Sequence, residues 1–311
     1  MTVIDLHSFK PAEVPSKTLL CLGNFDGVHI GHRALIAETV KRTKEFRALL
    51  PEVKSGVFFF RRAPHEIITG EKLLHLASFE EKLSFFSELG LDIAFVYDYE
   101  EIGKFSPEAF VSDILKKECG CIFAVCGYDF RFGYKAEGDA ERLSLLMNGN
   151  TYTVSEVSLD GERVSSSNIR RFIADGNIEG ANAMLGRPYL LNAEVLHGKK
   201  LGRSLGIPTI NQKFPPNFAI PKKGIYISQV TVNGAMFPSV SNIGVRPSVE
   251  DGASINCETY ILGFSGDLYG KKITVEFLKR LRDEIKFDSV AALKAQINKD
   301  IEKTKEYFNK K

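Results

Sequence analysis

His29 and His32 stand three residues apart inside Leu20-Cys21-Leu22-Gly23-Asn24-Phe25-Asp26-Gly27-Val28-His29-Ile30-Gly31-His32-Arg33, an apolar run that breaks into glycines and histidines before helical spacing resumes. The pattern predicts a strand, a phosphate loop and a helix. At that spacing, in the first turn of a helix, both imidazoles share one face. Gly23, Gly27 and Gly31 permit positive φ and close backbone approach. Free N–H groups and the positive end of the helix dipole favour an anionic guest there. Two histidines so spaced could also ligate zinc, yet no Cys or acidic residue nearby completes a ligand set in any usual pattern.

Three further stretches carry chemistry. Gly127-Tyr128-Asp129-Phe130-Arg131-Phe132-Gly133 joins a turn to a carboxylate, a guanidinium and two aromatics, a set suited to clamping a planar ring beside phosphate charge; alone it could equally be a loop of packed phenylalanines. Ser165, Ser166 and Ser167 precede a helix in which Arg170 would stand near the N-terminus, able to grip phosphate, although hydroxyls there are commonly just caps. The third runs from His197 to Asn211, where Gly198, Gly202, Arg203 and Gly206 make a glycine-rich basic loop suited to phosphates or to a solvated hairpin. It ends in Thr209 and Asn211, neutral oxygens of the kind Mg²⁺ takes alongside substrate phosphates. Neither a Walker A nor a protein-kinase pattern is present. Glu258 alternates with apolar neighbours in a strand and by itself reads as a surface carboxylate.

These motifs carry a resemblance. The opening run resembles the signature of the HxGH nucleotidyltransferases, and Asn24-Phe25-Asp26-Gly27-Val28-His29 is similar to their bacterial FAD synthetase branch. That implies transfer of a nucleotide from ATP, with Gly23, Asn24, Phe25, Asp26 and Gly31 around the nucleotide and His29 and His32 stabilising phosphate charge. The resemblance places Asp129, Phe130 and Arg131 at the flavin, and Ser165, Ser166, Ser167 and Arg170 in the motif that grips the triphosphate. Gly198 to Asn211 resembles the riboflavin kinase signature G-x-x-x-G-R-x-x-G-x-P-T-x-N, with Lys200 where bacterial members often have Gly. It implies nucleotide binding by Gly198, Gly202, Arg203 and Gly206, Mg²⁺ at Thr209 and Asn211, Glu258 as general base and Arg246 beside the flavin.

Tyr260 stands where the family usually has His. Phe60-Arg61-Arg62-Ala63-Pro64-His65-Glu66 holds one proline and two arginines where the family carries a proline-spaced flavin loop. Five motifs in one order identify the chain as a member of the bacterial bifunctional riboflavin kinase/FMN adenylyltransferase family, with riboflavin, FMN and ATP as its small-molecule partners. Two alternatives stand beside this: a kinase whose adenylyltransferase acceptor site is lost or altered, and a non-catalytic flavin-binding regulator.

The elements that must position these residues follow an order. At 311 residues the chain is long enough for two domains, and 41 Lys and Arg against 39 Asp and Glu give no signal for nucleic acid or membrane. Up to Leu185, strand and helix alternate: apolar Gly56 to Phe60, a capping box at Ser78 and Glu81, strand Asp92 to Tyr97, a Ser106-Pro107 helix start and strand Cys121 to Cys126. The alternation predicts a doubly wound parallel sheet over residues 1–185, with ligands at the strands' carboxyl ends. From Gly186 to Lys311 the texture is β-rich with Gly, Pro and Asn turns, which predicts a small antiparallel barrel closed by a helix carrying Val290, Leu293, Ile297, Ile301 and Phe308 inward. Five scattered cysteines read as buried thiols in a reducing compartment. With no signal segment and no apolar run near the roughly 20 residues of a spanning helix, the expected location is the cytoplasm. A weak homo-oligomer is left open.

Overall fold

The computed structural model describes residues 1–5, 17–198, 206–247 and 253–310, with the side chains of 246, 247, 253 and 254 set aside. It forms two compact units, Met1–Ser166 and Ser167–Lys311. The sequence reading places the boundary after Leu185; the two units divide earlier, at Ser166, so that the helices Ser166–Asp175 and Ile178–Leu185 go with the second unit.

The first unit is built on six parallel strands, β1 (Thr2–Asp5), β2 (Thr18–Leu22), β3 (Lys54–Phe60), β4 (Ile93–Tyr97), β5 (Cys121–Gly127) and β6 (Thr151–Val154), in the order β1-β4-β3-β2-β5-β6. β2 is buried at every position because both its faces are covered, with the Thr18 hydroxyl donating to the Cys119 carbonyl and the other four residues apolar. Leu20 and Leu22 pack with Phe58 and Phe95 on one side, while Leu19 and Cys21 pack with Val57 and Phe59 on the other. The chain leaves β2 for β3 on one flank and returns as β5 on the other. A crevice therefore opens at the carboxyl end of β2, at the switch in strand order.

α1 (Ile30–Phe46) starts there, earlier than hydrophobic periodicity alone suggests, because His29 caps it: extended at φ −68° and ψ 172°, its ring accepts from the His32 N–H at 3.3 Å. The expected capping box is present, with Ser78 Oγ accepting from Glu81 N–H at 3.1 Å and Glu81 accepting from Ser78 N–H at 2.7 Å. The helix begun by Ser106 and Pro107 continues as a π-helix over Phe110–Glu118.

The first unit ends in a hairpin of two short strands, β7 (Ser158–Leu159) and β8 (Glu162–Arg163); the second unit holds β9 (Tyr189–Glu194), β10 (Thr209–Lys213), β11 (Gly224–Val232), β12 (Ala235–Pro247), β13 (Ala253–Ile261) and β14 (Lys272–Arg282), antiparallel in the order β10-β13-β12-β11-β14-β9. Its edges meet. Leu196 N–H donates to the Asn211 carbonyl at 2.8 Å, and the buried Gln212 amide donates to the Ala193 and Ile273 carbonyls at 2.7 Å each. The expected barrel thus closes through a glutamine rather than a full ladder.

On the C-terminal helix, Val290–Asn309, Leu293, Ile297, Ile301 and Phe308 are half-buried, as the apolar pattern predicts, and Val290 is not. Val290 is 63% exposed, whereas Asp300 is 2% exposed and clasps Arg282 of β14 through Nε and Nη2, the latter at 2.7 Å. The buried member of the pair is Asp300, so the helix is tied to β14 by this two-pronged contact as well as by its half-buried aliphatic residues.

Candidate functional sites

The crevice beyond β2 is a cavity of about 700 Å³ whose lining includes Gly23, Asn24, His29, Gly31 and His32 from the opening motif. Asp129, Phe130 and Arg131 face it from the loop after β5, and Ser165 and Ser166 from the start of the helix Ser166–Asp175. Three of the five sequence motifs lie in this unit or at its end. Two of them are tied directly, since Ser166 Oγ donates to the Asp26 carbonyl at 3.0 Å.

His29 and His32 stack, with centroids 3.6 Å apart and planes at 15°. A side chain at Gly31 would come within 3.2 Å of the His29 ring, so glycine lets that ring fold back over the helix start. Burial pushes the His29 imidazole down to about 4, with the Asp129 carboxylate opposing and the Arg163 guanidinium reinforcing. Burial, then the charges of His29 and Lys82, hold His32 well below its ordinary value of 6.5. Both rings are therefore neutral at pH 7, and His32 Nδ1 is buried without a partner among the described residues. Neutral N–H donors at a helix start can bind phosphate oxygens without a bound proton to lose. The zinc alternative gains nothing: no group of three His, Cys, Asp or Glu side chains suited to a metal occurs among the described residues.

Two residues of the motif lie beneath the cavity rather than in its wall. Phe25 is fully buried, at φ +52°, its ring 5.1 Å from His32 and edge-on to Phe86. Asp26 turns its Oδ1 to the Leu76 N–H at 3.0 Å. Ser167 and Arg170 continue the helix Ser166–Asp175 in the second unit.

Sequence reading missed Lys82, Glu156 and Arg163 here, and met Tyr128 only as part of the Gly127–Gly133 stretch. Lys82, 8% exposed, lies on the helix Phe79–Glu88, its charge opposed by Asp26 and Glu66. Tyr128, Glu156 and Arg163 form a cluster on the cavity wall: the Tyr128 hydroxyl donates to Glu156 at 2.6 Å, Arg163 pairs with Asp129 and with Glu156 at 3.7 Å, and its guanidinium lies 5.2 Å over the Tyr128 ring. The only sequence signal was a lysine set among apolar helix positions, and none marked the cluster.

The unusual Phe60–Glu66 segment is split in its roles. Phe60, Pro64 and His65 line the cavity, while Arg61 pairs with Asp5 and with Asp98 at 3.6 Å and Arg62 with Glu100 at 3.6 Å. The two arginines are spent on surface carboxylates, and neither is part of the lining.

In the second unit, strand register gathers the remaining motifs. Asn211 lies opposite Glu258, Glu258 opposite Asn242, and Thr209 opposite Tyr260. Directly paired residues share a face, so Thr209, Asn211, Asn242, Glu258 and Tyr260 occupy one side of β10, β13 and β12. Gly198 rests on Asn211: a side chain there would meet Asn211 Nδ2 at 2.5 Å. Asn211 is 7% exposed, and its Oδ1 has no partner among the described residues. A threonine hydroxyl and an unpartnered amide oxygen on one strand suit a hard cation such as Mg²⁺. Gly206 takes φ +76° at the loop's end. Gly202 and Arg203 lie outside the described residues, and Arg246 belongs to β12 with its side chain likewise outside them.

Stacked neutral histidines at a helix start over a parallel-sheet crevice mark a nucleotidyltransferase-type fold, and the same chain carries an antiparallel barrel. The FAD synthetase family model matches residues 12–168 and the riboflavin kinase model residues 185–308. The chain is 33% identical over 297 residues to the bifunctional riboflavin kinase/FMN adenylyltransferase of Listeria monocytogenes, covering 94% of this chain and 93% of that one. It is 35% identical over 303 residues to the protein of the same name from Pseudomonas fluorescens, with 96% and 95% covered. A solved structure described as a macrolide-efflux protein from Streptococcus pneumoniae superposes with a TM-score of 0.87 at 27% identity, covering 98% of this chain and 99% of that one. Among the described residues of this chain no helix is long and apolar enough to cross a membrane. The chain belongs to the bifunctional riboflavin kinase/FMN adenylyltransferase family.

Proposed function

We infer that the two units divide the synthesis of flavin nucleotides between them. As a member of its family the chain is a bifunctional enzyme, phosphorylating riboflavin to FMN and adenylylating FMN to FAD with ATP as co-substrate. The allocation of chemistry rests on one observation above others: the FAD synthetase match covers the unit holding the histidine cavity, and the riboflavin kinase match covers the barrel holding Glu258.

In the first unit an FMN phosphate oxygen attacks the α-phosphorus of ATP, the α–β bridge breaks and pyrophosphate leaves. No protein nucleophile is needed. His29 and His32 donate N–H groups to phosphate oxygens as charge shifts toward the leaving group, the start of α1 adds its dipole, and Asn24, Ser165 and Ser166 position the triphosphate. Asp129, Phe130 and Arg131 seat the flavin side.

In the barrel Glu258 takes the proton of the riboflavin 5′-hydroxyl, whose oxygen attacks the γ-phosphorus as ADP leaves. Thr209 and Asn211 would hold Mg²⁺, which would neutralise phosphate charge there. Gly198, Gly202, Arg203 and Gly206 present backbone N–H groups and one guanidinium to the nucleotide, and Arg246 lies toward the flavin. Five free cysteines, all buried, support a reducing location, the cytoplasm.

Two variants test the division. His32→Ala removes a donor to developing charge and lowers adenylylation about 10²-fold, or about 3 kcal/mol, with phosphorylation unchanged. Glu258→Gln lowers FMN formation by about 10²–10⁴-fold and leaves adenylylation of supplied FMN intact. Rates within a few-fold of the parent would remove either residue from its step.

A further inference from the structure

Glu258 does not stand alone between strands. Asn242 on β12 is its direct partner, and Asn256, two residues before it on β13, shares its face opposite Gly244 and Lys213. Asn256 is 4% exposed and Asn242 half-buried, yet the Oδ1 atoms of both are buried with no donor among the described residues. A buried carbonyl oxygen without a donor is costly, and that cost is recovered when a ligand supplies one.

A cation or a hydrogen-bond donor could satisfy these oxygens, and the cation's place is already taken by Thr209 and Asn211, which leaves a donor. Phosphate oxygens only accept, so the nucleotide's phosphates gain nothing from these two amide oxygens, whereas hydroxyl groups satisfy them. Asn256 and Glu258 are separated by two residues of strand, about 6.6 Å. That span suits an extended five-carbon polyol with one end at Glu258. The base and the acceptors lie along one line of the sheet.

We propose that Asn242 and Asn256 accept hydrogen bonds from secondary hydroxyls of the ribityl chain of riboflavin, and so present its terminal hydroxyl to Glu258. They are specificity residues for the polyol rather than for the ring or the nucleotide. The inference rests on the reading of the barrel as the phosphorylating unit with Glu258 as its base.

The test uses the full-length chain, ATP, Mg²⁺, riboflavin and analogues each lacking one secondary ribityl hydroxyl. In Asn242→Ala and Asn256→Ala, kcat/KM for riboflavin is expected to fall about 10–100-fold, mainly through KM, while KM for ATP stays within two-fold of the parent. For the analogue lacking the matching hydroxyl, parent and variant should differ by less than about three-fold. An equal loss with every analogue, or a loss carried by KM for ATP, would overturn the proposal. Should either variant fail to fold, the parent alone decides: at least one hydroxyl deletion is expected to cost about 10-fold or more, and a parent indifferent to all of them contradicts the assignment. The Glu258→Gln rate is independent of this series, so the base assignment and the polyol assignment can fail separately.

Discussion

His29 and His32 lie ring on ring, 3.6 Å between centroids, at the mouth of a parallel-sheet crevice. Two imidazolium ions cannot occupy that geometry cheaply, and burial already drives both toward the neutral form.

The pairing makes the first unit sensitive to acid. The unfolded chain binds a proton at each histidine below about 6.5, whereas folded His29 does so only near 4. Between those values the unfolded state holds more protons, so stability falls as pH drops, by on the order of 3 kcal/mol for His29 alone. Urea unfolding of the first unit at pH 7 and pH 5 should show the loss, and His29→Asn should reduce it. A flat profile would mean the rings are not held neutral.

The departure at Phe60–Glu66 should not impair adenylylation through its arginines. Arg61 and Arg62 make exposed pairs with Asp5, Asp98 and Glu100, interactions worth about 1 kcal/mol or less. Arg61→Ala and Arg62→Ala are expected to form FAD from FMN within about three-fold of the parent rate. A fall in the rate by a factor resembling that of His32→Ala would place these side chains in the site after all.

Gly198 is tested by adding one methyl group. Gly198→Ala brings a Cβ to 2.5 Å from Asn211 Nδ2, and displacing that amide by an ångström should lower FMN formation by about 10²-fold. Adenylylation of supplied FMN should be unaffected. Parent-like kinase activity would show that Asn211 can move without consequence.

Where the barrel begins can be measured by truncation. Asn182 donates to the Phe277 carbonyl and accepts from the Tyr189 N–H, both at 2.7 Å, and Lys222 N–H donates to the Ile173 carbonyl at 3.1 Å. A fragment starting at Ser167 keeps these bonds. One starting at Arg187 loses them, at about 1 kcal/mol each, and should melt at a lower temperature. Equal melting temperatures would show that the two helices add nothing to the barrel.

The sequence was most legible where local chemistry decides structure. Leu19 to Leu22 announces a strand covered on both faces, Ser78 with Glu81 a helix start, and the glycine–histidine run a loop opening a helix. It was least legible where partners come from distant strands. Nothing near Gln212 shows that its amide seals the barrel, and the apolar spacing from Val290 gives no hint that Asp300 anchors the last helix through Arg282. Arg163 and Glu156 entered the first site unannounced for the same reason, since a hairpin of two short strands, Ser158–Leu159 and Glu162–Arg163, carries them to the cavity wall. That Asn242 faces Glu258 is set only by strand register.

The most direct measurement is a chromatographic time course of riboflavin, FMN and FAD with the full-length chain, ATP and Mg²⁺. Two working sites on one chain should give FMN first and FAD after it, with pyrophosphate released in the second step. His32→Ala should stop the course at FMN, and Glu258→Gln should block it before FMN yet convert supplied FMN to FAD. A parent that accumulates FMN without FAD, or a His32→Ala variant that still makes FAD while FMN formation falls, would contradict the assignment of adenylyl transfer to the first unit.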